Sequence, residues 1–150
     1  MALDLNTIKE IRERTGLSIA KIKGALEETG GDVEKALKAL KTQGAQIAEK
    51  KASRATNQGI VESYIHTNKK TGVLVRLHCE TDFVAKNEEF INLAHEIAMQ
   101  VVSMKPENNE DLLSQPYIKD PAVTIKDLIE QHIGKLGENI QLGEFIRFEI

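Results

Sequence analysis

One cysteine, Cys79, is all the thiol chemistry this chain has. It cannot close an internal disulfide, and without a second cysteine there is no Cys-x-x-Cys pair for metal or redox work. No apolar run approaches the roughly 20 residues that span a bilayer. The opening Met-Ala-Leu-Asp-Leu-Asn lacks a basic stretch followed by an apolar one, so neither a signal peptide nor an anchor is read there, and a cytoplasmic protein is the default expectation. A Gly-rich phosphate loop is missing too, which argues against a nucleotide site of the chain's own. The histidines, His66, His78, His95 and His132, show no His-x-x-x-His spacing, so no metal site and no cofactor are expected. Cys79 stands between His78 and Glu80, but strand neighbours point to opposite faces, so a Cys-His nucleophile is ruled out. Cys79 reads instead as a small buried apolar residue.

What is present is ordinary in bulk: 150 residues, 41% apolar and 29% charged, enough for one core or for one small and one medium module. Charge is unevenly spread. Residues 1–57 hold 11 Lys and Arg against 8 Asp and Glu, whereas 58–150 hold 9 against 15, giving +3 and −6. Two modules with different surfaces follow, and the acidic second part argues against direct nucleic-acid binding.

Three amphipathic helices are expected from Leu5 to Leu40. Asp4 caps the first, whose apolar face is Leu5, Ile8 and Ile11, with Gly16 beyond its end. Ser18 precedes the second, with Ile19, Ile22, Ala25 and Leu26, ended by Gly30-Gly31. Asp32 caps the third, with Val33, Ala36, Leu37 and Leu40, closed by Gly44. Short links between three apolar stripes give a compact bundle of ubiquitin-associated type over 1–44. Residues 45–57, rich in Ala, Lys and Gln, read as a linker that is helical only if something packs on Ile47.

At Gly59 the period changes from 3.6 to 2, opening an α+β module over 58–150. Ile60–His66 and Val73–Cys79 form a hairpin with one clean apolar face and a more polar reverse. Asn87 caps a helix with Phe90, Leu93, Ala94, Ile97 and Val101 in a stripe, and Lys105–Glu110 and Gln115–Pro121 read as irregular. Thr124 and Asp127 form a capping box for a helix with Ile125, Leu128, Ile129, Ile133 and Leu136, ending before Gly137. A third strand follows with Ile140, Leu142, Ile146, Phe148 and Ile150 on one parity and Gly143 at a bulge position. The fold class is therefore α+β, a three-helix bundle followed by a small antiparallel sheet of about three strands with helices on one face.

The seam Thr81-Asp82-Phe83-Val84-Ala85-Lys86-Asn87 sets an acid and a ring at the exit of a strand. Read alone, an acid at a helix start and a buried ring are commonplace. Phe83 is nonetheless superfluous to the following helix stripe, which is complete from Phe90. Together with Tyr64-Ile65-His66, Gly72-Val73-Leu74-Val75 and Cys79-Glu80, this stretch closely resembles the elongation factor Ts family. Lys135-Leu136-Gly137-Glu138-Asn139-Ile140 is similar to that family's second recurring motif, and Arg12-Glu13-Arg14-Thr15-Gly16 to its N-terminal helix and loop.

The resemblance implies a guanine-nucleotide exchange factor for the GTPase elongation factor Tu, with no chemical centre of its own. It implies that Asp82 and Phe83, flanked by Thr81 and Val84, enter beside the partner's magnesium and phosphate site, and that Arg12, Ile19 and Ala20 make a second contact. Where the family usually has small residues and a methionine pair after Thr15-Gly16, this chain has Leu17, Ser18, Ile19 and Ala20, so that contact is altered at Ala20. The connection between Met104 and Pro116 is brief where many members carry a long helical hairpin, and one sheet unit stands where the longest members have two. A single unit also leaves room for a homodimer through the sheet. The rival expectation, of another class, is a non-catalytic binding module in which the bundle holds a ubiquitin-like or helical partner and the sheet is scaffold.

Overall fold

Local sequence dictates the start of the chain closely. In the computed structural model, which describes residues 3–150, the first three helices are α1 (Leu5–Thr15), α2 (Ile19–Glu28) and α3 (Val33–Lys51). Asp4, Ser18 and Asp32 cap them, each side chain accepting from a backbone N–H of the first turn. Ile8, Ile11, Leu17, Ile22, Ala25, Leu26, Ala36 and Leu40 form a closed core of their own. Leu5, expected on the apolar face, is exposed instead, and Leu3 packs against that core.

The third helix does not close at Gly44. It runs on to Lys51 because Ile47 and Ala48 pack into the second core beside a later helix, the condition the sequence had set for helicity there. Lys51 then donates to the Gly137 carbonyl at 2.8 Å, which ties the helix end to the second module.

The second module holds the strands β1 (Gln58–Ile65), β2 (Thr71–Cys79) and β5 (Gln141–Glu149) in one antiparallel sheet, order β1-β2-β5. Between β2 and β5 the chain makes the single turn α4 (Asp82–Ala85), the long α5 (Glu88–Met104), the short α6 (Asn109–Ser114), a hairpin of β3 (Pro116–Tyr117) and β4 (Asp120–Thr124), and α7 (Ile125–Leu136). Asn87 caps α5, and Thr124 with Asp127 makes the expected capping box on α7. α6 and the β3–β4 hairpin replace the irregular stretch expected there. Their brevity and Pro116 and Pro121 hide the periodicity that would reveal them.

Val73, Val75, Leu77 and Cys79 of β2 face α5 and form the second core with Phe90, Leu93, Ala94, Ile97 and Val101, together with Ile125, Ile129 and Ile133 of α7. The reverse of the sheet is less polar than expected. Val61, Ile65, Leu74, Ile146 and Phe148 are all exposed, and the register aligns Leu74 with Ile146 and Gly72 with both Ile65 and Phe148. The cause is the bulge at Gly143. Leu142 pairs with Leu77 and Phe145 with Val75, both facing the core, so the parity reverses between them and turns Ile146 and Phe148 outward.

Candidate functional site

After β2 the chain passes Glu80 and the extended Thr81 and turns at once into α4. Thr81 is the cap, with its hydroxyl accepting from the Val84 N–H at 3.4 Å, and Asp82 opens the turn where the helix dipole favours an acid. Lys86 reaches back to Asp82 at 3.2 Å, an exposed pair that contributes little and leaves the carboxylate accessible. Phe83 is 89% exposed, the ring standing clear of both cores. Val84 turns partly inward against the larger core, and Ala85 is buried. Of the four residues singled out in this stretch, Asp82 and Phe83 face solvent, while Thr81 and Val84 are half-buried.

Behind the turn lies a polar knot from distant chain segments. Glu138 Oε1 accepts from the backbone N–H of Glu80 at 3.1 Å and of Thr81 at 2.9 Å, and its Oε2 accepts from the Thr81 hydroxyl at 2.6 Å. Glu80 answers by accepting from the Asn139 N–H at 2.8 Å, and it pairs with Arg54 at 3.6 Å. Asn139, almost fully buried, donates to the Arg54 carbonyl at 2.8 Å. The Cys79 thiol donates to the Thr81 carbonyl at 3.2 Å. Burial, then the negative charge of Glu138, pushes that thiol up to about 11, so it stays protonated and can donate. Sequence reasoning left Glu138 without a role; an acid directly after a Gly-ended helix, with no partner one turn away, was the available signal.

The first-module residues lie on the bundle surface. Arg12, Ile19 and Ala20 are all exposed, on the last turn of α1 and the first turn of α2. The loop between them is held from the other module. Gly16 adopts φ 68° as the left-handed end of α1, and Gln131 of α7 donates to the Thr15 carbonyl at 2.5 Å. The Lys135 ammonium sits so close to Gly16 that an added Cβ would lie 2.7 Å from it. Lys135 also pairs with Glu89 at the start of α5, at 2.9 Å. One helix, α7, thus carries the bundle's loop on its last two turns and, just past its end, the carboxylate that grips Thr81.

Among the described residues no group of three or more His, Cys, Asp or Glu is placed to hold a metal ion, and no helix is long and apolar enough to cross a membrane. The geometry defines an α+β protein, a helical bundle joined to a helix-backed antiparallel sheet, that holds an acid and a ring outward at the sheet's exit. Comparison with known proteins carries this to a family. Residues 80–150 match the family model described as Elongation factor TS. Elongation factor Ts of Carboxydothermus hydrogenoformans is 40% identical over 188 residues, covering 95% of this chain and 87% of that protein. Elongation factor Ts of Coprothermobacter proteolyticus is 38% identical over 195 residues, covering 100% of this chain and 99% of the relative. The chain belongs to the elongation factor Ts family of translation elongation factors. Since the second alignment runs over 195 positions and this chain supplies 150 residues, about 45 of those positions face gaps in this chain.

Proposed function

We propose that this chain is the nucleotide exchange factor of a cytoplasmic elongation factor Tu, binding that GTPase and speeding GDP release through Asp82 and Phe83. The single observation that carries the proposal is Phe83, 89% exposed on a turn whose other side chains are packed or bonded. An exposed ring of that size gains by entering an apolar pocket, by roughly 1.5–3 kcal/mol when fully buried. If the pocket opens only when helices beside the partner's magnesium and phosphate site are displaced, occupation by Phe83 favours the displaced state and GDP leaves. Linkage makes the effect reciprocal: the factor prefers the empty GTPase, and incoming nucleotide expels it. No bond is made or broken, so the chain acts without a chemical centre of its own. Arg12, Ile19 and Ala20 form the second contact, at a fixed distance from the wedge because α7 carries the bundle loop.

The test is release of fluorescent GDP from elongation factor Tu, alone and with wild-type chain, Asp82→Ala and Phe83→Ala. Acceleration by wild type that falls in both variants supports the mechanism. Equal acceleration by folded variants overturns it. The open sheet face, apolar at Val61, Ile65, Leu74, Ile146 and Phe148, supports a homodimer through the sheet. Sedimentation equilibrium showing only monomer up to high concentration would dispose of that assignment.

A further inference from the structure

We infer that Glu138 is a positioning residue for exchange, aiming the Asp82–Phe83 wedge through Thr81; the inference rests on the exchange reading above. α4 is four residues long, too short to fix its own direction by helical cooperativity. What fixes it is Thr81, whose polar groups are all engaged. Its N–H and hydroxyl go to Glu138, and its carbonyl accepts from the Ala85 N–H at 3.2 Å and from the Cys79 thiol at 3.2 Å.

The acceptor matters as much as the count. A carboxylate that accepts two backbone N–H groups and a hydroxyl makes charge-assisted bonds, stronger and more directional than neutral ones. It is delivered from a rigid place: α7 ends at Gly137 with φ 79°, and Glu138 is the next residue. The return grip of Glu80 on the Asn139 N–H makes the linkage two-sided, so neither strand exit nor helix exit can swing alone. Arg54 and the buried Asn139 side chain extend it to the segment after α3. Because α7 also holds the Thr15–Gly16 loop, Glu138 sets the spacing between the wedge and the bundle's contact residues.

The experiment uses the full chain with Glu138→Ala, Glu138→Gln and Thr81→Val, alone and combined with Phe83→Ala. Two readouts are taken: amide hydrogen exchange at Glu80, Thr81 and Val84 in the free protein, and stimulated GDP release from elongation factor Tu. Glu138→Ala is expected to lose protection at those three amides and to lower stimulation by on the order of tenfold to a hundredfold, the scale set by misplacing a reacting contact by about an ångström. Glu138→Gln keeps one acceptor oxygen for the two amides and should recover much of the loss. Thr81→Val keeps the shape and both backbone donors to Glu138 but removes the hydroxyl's bond to Glu138 together with its cap on the Val84 N–H, and it covers the case in which Glu138→Ala fails to fold. Added to Phe83→Ala, Glu138→Ala should cost clearly less than it does alone, since much of its effect passes through the ring and only the aim of Asp82 is left to lose.

Wild-type stimulation by folded Glu138→Ala overturns the inference, and so do independent, multiplying losses in the double variant. If wild type itself fails to accelerate release, the exchange reading falls separately. In that case unchanged amide protection in Glu138→Ala overturns the clamp, and lost protection upholds it as the device that orders this turn.

Discussion

Two phenylalanines seven residues apart should respond to the same substitution in opposite ways. Phe90, at the start of α5, is 0% exposed and among the largest fully buried side chains, whereas Phe83 is 89% exposed. Phe90→Ala removes a ring from a packed core, which costs about 3–5 kcal/mol. At roughly 2–4 °C per kcal/mol for a chain of this size, the melting temperature should fall by about 6–20 °C. Phe83→Ala exposes no cavity and breaks no contact with either core, so its effect should stay within about 0.5 kcal/mol. In the exchange assay the order inverts. Losing about 1.5–3 kcal/mol of ring burial in the partner should weaken the complex or slow GDP release by roughly 10- to 150-fold. The assay is urea unfolding of both variants beside stopped-flow release of fluorescent GDP, at a temperature where both are folded. A Phe83→Ala protein as destabilised as Phe90→Ala would refute the outward placement of the ring, and one that stimulates release like wild type would refute its use.

Other expectations follow from single positions. Gly59 has φ 155°, and an added Cβ would lie 2.2 Å from the Leu77 carbonyl oxygen, so Gly59→Ala should cost roughly 2–4 kcal/mol in urea unfolding; a loss below about 0.5 kcal/mol would contradict the β1–β2 geometry. Burial lowers the His132 pKa below 6.5 although its ring N–H donates to the Leu128 carbonyl at 2.8 Å. The folded state therefore favours the neutral ring, a contribution present above pH 6.5 and lost as pH falls through the lower folded value. His132→Gln should flatten the melting temperature between pH 7.5 and 5 relative to wild type, and an unchanged slope would count against the assignment. Cys79, fully buried and held protonated, should react with a thiol reagent at pH 8 on the order of a hundredfold more slowly than in the unfolded chain, and Cys79→Ser should leave GDP release nearly intact. Rapid native modification would refute its burial.

Much of the fold was legible where chemistry is local. Asp4, Ser18, Asp32, Asn87 and Thr124 each cap the helix their position predicted, because a short polar side chain before an apolar stripe has few better uses. Readings failed where an outcome depended on distant packing. The length of α3 was decided by Ile47 meeting α7, beyond what its Ala- and Lys-rich sequence dictates. The facing of β5 was decided by the bulge at Gly143, a position the sequence does suggest, but the alternation of Ile and Phe conceals that it turns Ile146 and Phe148 outward. At the candidate site, Asp82 and Phe83 were readable as an acid and a ring superfluous to the next helix stripe. What holds them was not, since Glu138 reaches Thr81 from 57 residues away and pattern reasoning has no access to that distance.

That distance also orders the protein's own folding. The three-helix bundle draws on short-range contacts and can condense while the rest is still being made. The β1–β2 hairpin forms next, but β2 gains its second neighbour only from β5, and Glu138 emerges just ahead of that strand. Until then β2 offers an open, unpaired edge beside an unanchored turn, the state in which a nascent chain is most exposed to wrong partners. Sheet completion and wedge anchoring are therefore one late, coupled event. A chain interrupted before α7 would carry a folded bundle and a ring with nothing to aim it.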